Sequence, residues 1–371
     1  MTHTVTFFPS GNADTCFIKL ENGRIIIYDY AYTGNPDDKE DLRINLEEEV
    51  RERVGDKDSV DVLAFSHFDK DHYQGATDLF WLEHANKYQS DDRIKIDVLW
   101  VPAAAILEEG ITDEGRTLRA EARYRLKEGK GIRVFSTPNA LDTWLKDNGI
   151  SPADRADLIT DAGNLAPEFS LHADQVEFFV HSPFAEHCED GSLVERNTSA
   201  LFMQAKFEVD SEPTYLLLSA DCEFEVLEQI VRVTRYHDND ERLLADINNI
   251  PHHCSYLSLA ADKGKDKTDP SEDLRWLYEE QSNDGCLLVS TSDPIPAGDT
   301  TQPPHRQAAA YYKEVAKKVD GEFIVTMEHP KTSAPEPLDI EITASGPKRK
   351  KKLAPAATII TSTSAPRAGK L

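Results

Sequence analysis

Apolar and polar positions change period repeatedly along the chain, and each change predicts an element. Near the N-terminus, VTFFP, TCFIKL and RIIIYDY are short β-rich runs, and the last two flank Asn22-Gly23, a pair suited to a hairpin turn. VDVLAFS, residues 60–66, is almost continuously apolar, as expected of a strand buried on both faces. ATDLFWLEHANKY has helical periodicity, and IDVLWVP reads as another strand. Residues 103–170 are rich in Glu, Arg, Lys and Asp; EGRTLRAEARYRLKEG, NALDTWLKDNG and the Ser-Pro start of SPADRADLI predict a mostly helical insertion. It reads equally as a charged outer layer or as a lid over a pocket. Strands resume with QVEFFVHSP, SALFMQAKFEV and TYLLLSAD, followed by the helix EFEVLEQIVRVTRY. LLADINNIP, the strand CLLVSTSD, the helix PHRQAAAYYKEVAKK and a closing hairpin of EFIVTM with LDIEIT complete the pattern. Strand clusters with helices outside them predict an α/β fold of two packed sheets between helical layers.

Composition narrows the class. The 371 residues suffice for a large core, and 39% hydrophobic against 29% charged residues fits a globular chain. No apolar run approaches the roughly 18 residues of a membrane span, and MTHTVTFFPSG lacks the features of a secretory signal. Cys16, Cys188, Cys222, Cys254 and Cys286 are scattered without a CxxC, which argues against a disulfide framework or thiolate zinc site and for a reducing cytoplasm. The net charge is −26, yet seven basic and no acidic residues follow Gly346, leaving the preceding body at −33. Such a body repels polyanions, so a nucleic-acid substrate needs recruitment by bound metal or by the tail. The tail, 346–371, is of low complexity and expected to be disordered. Its PKRKKK reads as a solvated end, a targeting signal, or a tether to nucleic acid or membrane.

The densest chemistry lies in SHFDKDHYQGA, residues 66–76, where a predicted strand ends. His67, Asp69, Asp71 and His72 fall within six positions, and Gly75 allows the chain to turn into a helix. Imidazoles and carboxylates on one loop can converge within about 2.0 to 2.2 Å of a metal ion. Asp221 ends TYLLLSAD, His252 and His253 follow LLADINNIP, and His305 precedes a helix. A P-loop, a GxGxxG and a Ser/His/Asp elbow are all missing.

In this order the motifs resemble the metallo-β-lactamase fold superfamily, and within it the branch containing the hydrolase domain of ComEC-type DNA-uptake proteins. The matching segments are GNAD (Gly11 to Asp14), Asp29 in IIIYDY, HFDKDH, Asn197 and Ser199 in RNTSALF, ADCE with Asp221 and Glu223, HHCS from His252 to Ser255, and His305. The resemblance covers roughly residues 5–345. It implies an αββα four-layer sandwich over 1–345 with the site at one edge, between the sheets. It also implies two divalent ions, Zn or Mn, held by His67, Asp69, Asp71, His72, Asp221 and His252. Asp71 and His253 take catalytic roles, although the resemblance leaves open which of His252 and His253 is the ligand.

Three departures bear on this reading. Asp69 stands where most of the superfamily has His, as in the ComEC-type branch. His181 and His187 are near the third-motif histidine, but Asn197 or Ser199 occupies its aligned place, so the first ion position is expected to be weak, empty or filled by another ion. Ala220 and Cys254 replace glycines. The implied chemistry is metal-dependent hydrolysis by an activated water, with a phosphodiester, nucleic acid included, as the leading substrate. Small lactones, esters, amides or nucleotides are the alternative, and a non-catalytic binding protein with a protein partner is the third reading.

Overall fold

The computed structural model describes residues 2–188 and 196–350. Its strands are β1 (His3–Phe7), β2 (Cys16–Lys19), β3 (Ile25–Tyr28), β4 (Ser59–Ala64), β5 (Lys95–Pro102), β6 (Ile132–Phe135), β7 (Ile159–Thr160), β8 (Val176–Ser182), β9 (Phe202–Val209), β10 (Glu212–Leu218), β11 (Ala245–Asn249), β12 (Ser282–Ser290), β13 (Glu322–Val325), β14 (Leu338–Thr343) and β15 (Gly346–Arg349). Nine form one sheet in the order β15-β14-β1-β2-β3-β4-β5-β6-β7; six form the other, β13-β12-β11-β10-β9-β8. From β3 to β7 and from β10 to β13 the neighbours run parallel. Parallel strands require cover on both faces, which is why VDVLAFS reads as a continuous apolar run.

Three apolar clusters define the layers. One, with Val5, Ile18, Ile26, Tyr28, Trp100, Phe178, Met203, Leu216 and Ile247, fills the space between the sheets. A second packs the outer face of the first sheet under the helices Leu46–Val54, Asp113–Glu128 and Asn139–Asp147. The third packs the second sheet under Phe224–Tyr236, Glu272–Glu279 and Arg306–Lys318. Alternation along β3 shows the division: Ile25 and Ile27 face the helices, Ile26 and Tyr28 the opposite sheet. Each such buried side chain contributes about 1.5–3 kcal/mol. The result is the expected αββα sandwich.

Four local expectations change. EFIVTM and LDIEIT do not pair as a hairpin: β13 lies parallel to β12 in the second sheet, while β14 is antiparallel to β1 in the first. ATDLFWLEHANKY holds only the helix Ala76–Leu79 and a 3-10 turn at Asn86–Tyr88, because Phe80 leaves the helix to bridge Ile94. Residues 103–170 are largely helical, yet they also supply β6 and β7, which extend the first sheet. Finally, Gly346–Arg349 of the basic segment pair with β14, and 351–371 lie outside the described residues. Among the described residues no helix is long and apolar enough to cross a membrane.

Candidate metal centre

The chemistry-bearing side chains come from loops at the C-terminal ends of parallel strands, where open α/β sheets present their ligand crevices. Asp29 follows β3, the His67–His72 loop follows β4, Asp221 follows β10, His252 and His253 follow β11, and Thr291 follows β12. Asp14 arrives from the β1–β2 loop, which is fastened to the metal loop by the Asp14 N–H donating to the Asp71 carbonyl at 3.0 Å. The His252 N–H donates to the Ala220 carbonyl at 3.0 Å, joining the β10 and β11 ends.

The metal loop is shaped by its sequence. Lys70–Tyr73 makes one helical turn, and Gly75 then adopts φ 83°, a conformation that favours glycine, with the Tyr32 Cβ only 3.1 Å from where a side chain would begin. Glu114, on the helix Asp113–Glu128, accepts the Gly75 and Thr77 N–H groups at 2.9 and 2.7 Å. The charged segment therefore braces the metal loop from outside.

Asp14, His72, Asp221 and His253 converge: one ligand atom from each lies within 4.8 Å of all the others, and all four residues are buried. His72 Nε2 is 3.3 Å from Asp221 Oδ1, and His253 Nε2 is 3.8 Å from the same oxygen and 3.3 Å from Asp71 Oδ2. Donor atoms bound about 2.1 Å from a tetrahedral ion stand about 3.4 Å apart, so these spacings suit coordination. His72 Nε2, His253 Nε2 and Asp221 Oδ1 are buried and have no hydrogen-bond partner among the described residues. Unsatisfied polar atoms aimed at one point are costly without a cation to meet them. The donors thus fit a divalent ion.

Neighbouring groups aim these donors. Asp29 faces His72 Nδ1 at 2.8 Å and accepts from the Ser66 N–H and hydroxyl at 2.7 and 2.6 Å. That carboxylate holds the proton on Nδ1 and leaves Nε2 for the ion. His253 Nδ1 donates to the Thr291 carbonyl at 2.8 Å with the same effect, while the Thr291 hydroxyl donates to Asp14. Backbone strain collects here too: Asp29, Ala220, His252, His253 and Cys254 have φ of 57°, 47°, 51°, 50° and 65°. Ala220 and Cys254, the two positions where the resemblance places glycine, therefore carry a conformation glycine adopts without cost.

Without an ion, protons balance the carboxylates. Burial opposes charge on His253, but Asp221, Asp71 and Asp14 outweigh it and push its pKa up to about 10. Burial likewise opposes charge on His72, and Asp221 and Asp29 hold it well above the ordinary histidine value. Burial also opposes charge on Asp221, which the facing histidines nonetheless keep well below the ordinary carboxylate range. Asp14 is raised, chiefly by burial. A metal ion would displace these protons, so its binding is linked to pH.

Of the residues singled out in the sequence, Asp71, His72, Asp221 and His253 meet here. Of the two adjacent histidines between which the resemblance leaves the ligand open, His253 is the one that converges; His252, named among the expected ligands, lies at the rim, 18% exposed at its side chain, with Nε2 3.7 Å from Asp221 Oδ2. His67 and Asp69 face each other at 3.5 Å outside the four, and Asp69 pairs with Arg196. His181 is remote: its Nε2 bonds the Arg242 carbonyl at 2.8 Å. His305 is buried, caps the helix Arg306–Lys318, and stacks edge-on against Tyr256. Asp14 belongs to the GNAD motif, and nothing in the sequence marks its carboxylate as one of the converging four. Thr291 and Arg196 were missed altogether; the position of Thr291 after an apolar strand is the only trace of its role in the sequence.

No protein-family profile matches the chain, and no curated protein matches it. Among solved structures it is similar to a long-form RNase Z from yeast, at 10% identity and TM-score 0.37, over 91% of this chain and 42% of that one. The chain thus spans less than half the length of that RNase Z. It is also similar to unliganded yeast PDE1, at 9% identity and TM-score 0.43, over 87% of this chain and 96% of that one. A diphosphatase of the PhnP family is similar at 9% identity and TM-score 0.31, over 88% and 87%.

Proposed function

We propose that the chain is a metal-dependent hydrolase of the metallo-β-lactamase type that cleaves phosphodiesters. The observation that carries this reading is the convergence of Asp14, His72, Asp221 and His253 with their inward atoms unsatisfied. His72, Asp221 and His253 would hold the ion, with Asp14 or Asp71 completing the set. Carboxylate-rich donors favour Mn as well as Zn. When bound, such an ion supplies a water that ionises near neutral pH and a Lewis acid for a phosphoryl oxygen.

The remaining steps belong to the chain's own residues. Asp71, whose side chain is 38% exposed and 3.3 Å from His253 Nε2, orients the attacking water and receives its proton. Asp29 and the Thr291 carbonyl keep the ligand histidines in the Nε2-free tautomer. His252, at the rim beside Asp221, would protonate a departing alkoxide. The finer likeness, to the ComEC-type branch, is part of this proposal and rests on the order of GNAD, HFDKDH, ADCE and HHCS. So is a cytoplasmic setting, which fits five buried free thiols.

Charge favours a second reading, hydrolysis of a small phosphoester or other small ester, because the −33 body disfavours long polyanions. Hydrolysis of bis(p-nitrophenyl) phosphate by metal-stripped protein, with Mn or Zn restored, tests the first. Turnover that needs the metal and vanishes in His72→Ala is expected. Equal turnover in the variant, or none in the wild type with metal shown to be bound, refutes the phosphodiesterase reading and directs the assay to lactones and thioesters.

A further inference from the structure

We propose that Arg196 takes the place of a second ion, so that the protein holds one divalent metal. The inference rests on the metal-dependent reading above and specifies its stoichiometry.

The loop HFDKDH offers donors at two positions. At the inner position the loop contributes His72, which faces Asp221 from the β10 end and belongs with it to the converging four. The outer pair is His67 and Asp69. His67 is 1% exposed, its Nδ1 is 3.0 Å from the Ser66 hydroxyl, and its buried Nε2 has no hydrogen-bond partner among the described residues. That nitrogen lies 3.5 Å from Asp69 Oδ2, a spacing an ion could bridge. Asp69, however, is already neutralised: its Oδ1 accepts from Arg196 Nη1. The same guanidinium donates through Nε and Nη2 to Glu108 at 3.0 and 2.6 Å, and Glu108 is only 7% exposed.

Three features make this an occupied position. The guanidinium charge is permanent, since arginine does not lose its proton in proteins. Its planar fork is held by two carboxylates from different elements, so it cannot swing away without leaving Glu108 buried and unpaired. A third donor is also lacking: among the described residues the one group of three or more His, Cys, Asp or Glu that converges is the inner one, and it contains neither His67 nor Asp69. Among the described residues, a dication placed between His67 and Asp69 would find two protein ligands and a fixed positive charge sharing one of them. Arg196 supplies the outer charge instead, at +1.

The test is metal content and coupling. Stripped protein is equilibrated with excess Mn(II), desalted, and measured for manganese per chain; electron paramagnetic resonance then reports whether ions sit close enough to couple. The wild type is expected to hold one uncoupled ion. Arg196→His, which removes the fixed charge and adds a third donor, is expected to hold two coupled ions, and Arg196→Ala to gain a weaker second one. Arg196→Lys, which keeps a cation, stays at one. A wild type holding two coupled ions overturns the inference, as does a folded Arg196→His variant that stays at one. A wild type that binds none overturns the metal reading itself, which separates the two failures.

Discussion

Asp29→Asn is the sharpest probe of how the fold aims its ligands. Asp29 is fully buried, and its two oxygens meet three donors: the Ser66 N–H at 2.7 Å, the Ser66 hydroxyl at 2.6 Å and His72 Nδ1 at 2.8 Å. A carboxylate offers acceptors alone, so His72 must keep a proton on Nδ1, and Nε2, which faces Asp221, is the nitrogen that can give up its proton to a metal. Asparagine is nearly isosteric and tolerates the φ of 57°. With its oxygen kept on the Ser66 N–H, however, its NH2 faces Nδ1 donor to donor. The imidazole escapes by moving its proton to Nε2, the atom needed for the metal. Loss of such a supporting partner weakens metal binding about 10–100-fold, or about 1.4–2.7 kcal/mol. Losing the charge-assisted bonds costs the metal-free fold about 1.5–3 kcal/mol as well. Competition with a chromophoric chelator gives the affinity, and urea unfolding with and without chelator separates the two losses. A folded Asp29→Asn protein that binds Mn or Zn within twofold of the wild type would refute the tautomer argument.

The other predictions concern linkage and support. Because the folded-state pKa of His253 is raised to about 10, its protonation stabilises the metal-free protein fully below the unfolded value near 6.5 and is lost as pH rises toward 10. Metal-free protein should therefore lose stability in urea between those pH values, while metal affinity rises as protons leave; a flat profile for both would count against the cluster. Glu114→Ala strips the Gly75 and Thr77 N–H groups of their acceptor and should cost about 1–2 kcal/mol and weaken metal binding, by denaturant melts and chelator competition. Glu121→Ala leaves Arg125 buried beside two backbone N–H groups with no acceptor, and about 3–5 kcal/mol should be lost in the same melts. All five cysteines are buried, and burial raises the Cys222, Cys254 and Cys286 thiols, that of Cys286 to about 12; a thiol reagent should titrate none quickly in the native protein and all five in denaturant.

Much of the fold was legible because strands buried on both faces leave continuous apolar runs. VDVLAFS and TYLLLSAD announce themselves, and the helices Phe224–Tyr236 and Arg306–Lys318 fall where periodicity puts them. The errors came where pairing partners are distant. EFIVTM and LDIEIT are close enough in sequence to suggest a hairpin, yet neither run carries a mark of the sheet it joins. ATDLFWLEHANKY has helical spacing, but the bridge from Phe80 to Ile94 overrides it.

The site divides in the same way. By itself the sequence determined the donor chemistry: two imidazoles and two carboxylates within one strand-end loop, with Asp221 and a histidine pair at later strand ends. Their spacing survives any packing, since residues 67 to 72 cannot separate. Only the tertiary structure decided which donors converge. His252 and His253 are adjacent and chemically identical, and the left-handed backbone at both turns His253 inward and leaves His252 at the rim. Asp14, Asp29 and Thr291 reach the site from separate strands, and Arg196 meets Asp69 across 127 positions. Such contacts arise when the ends of two sheets pack together, and no local pattern records them.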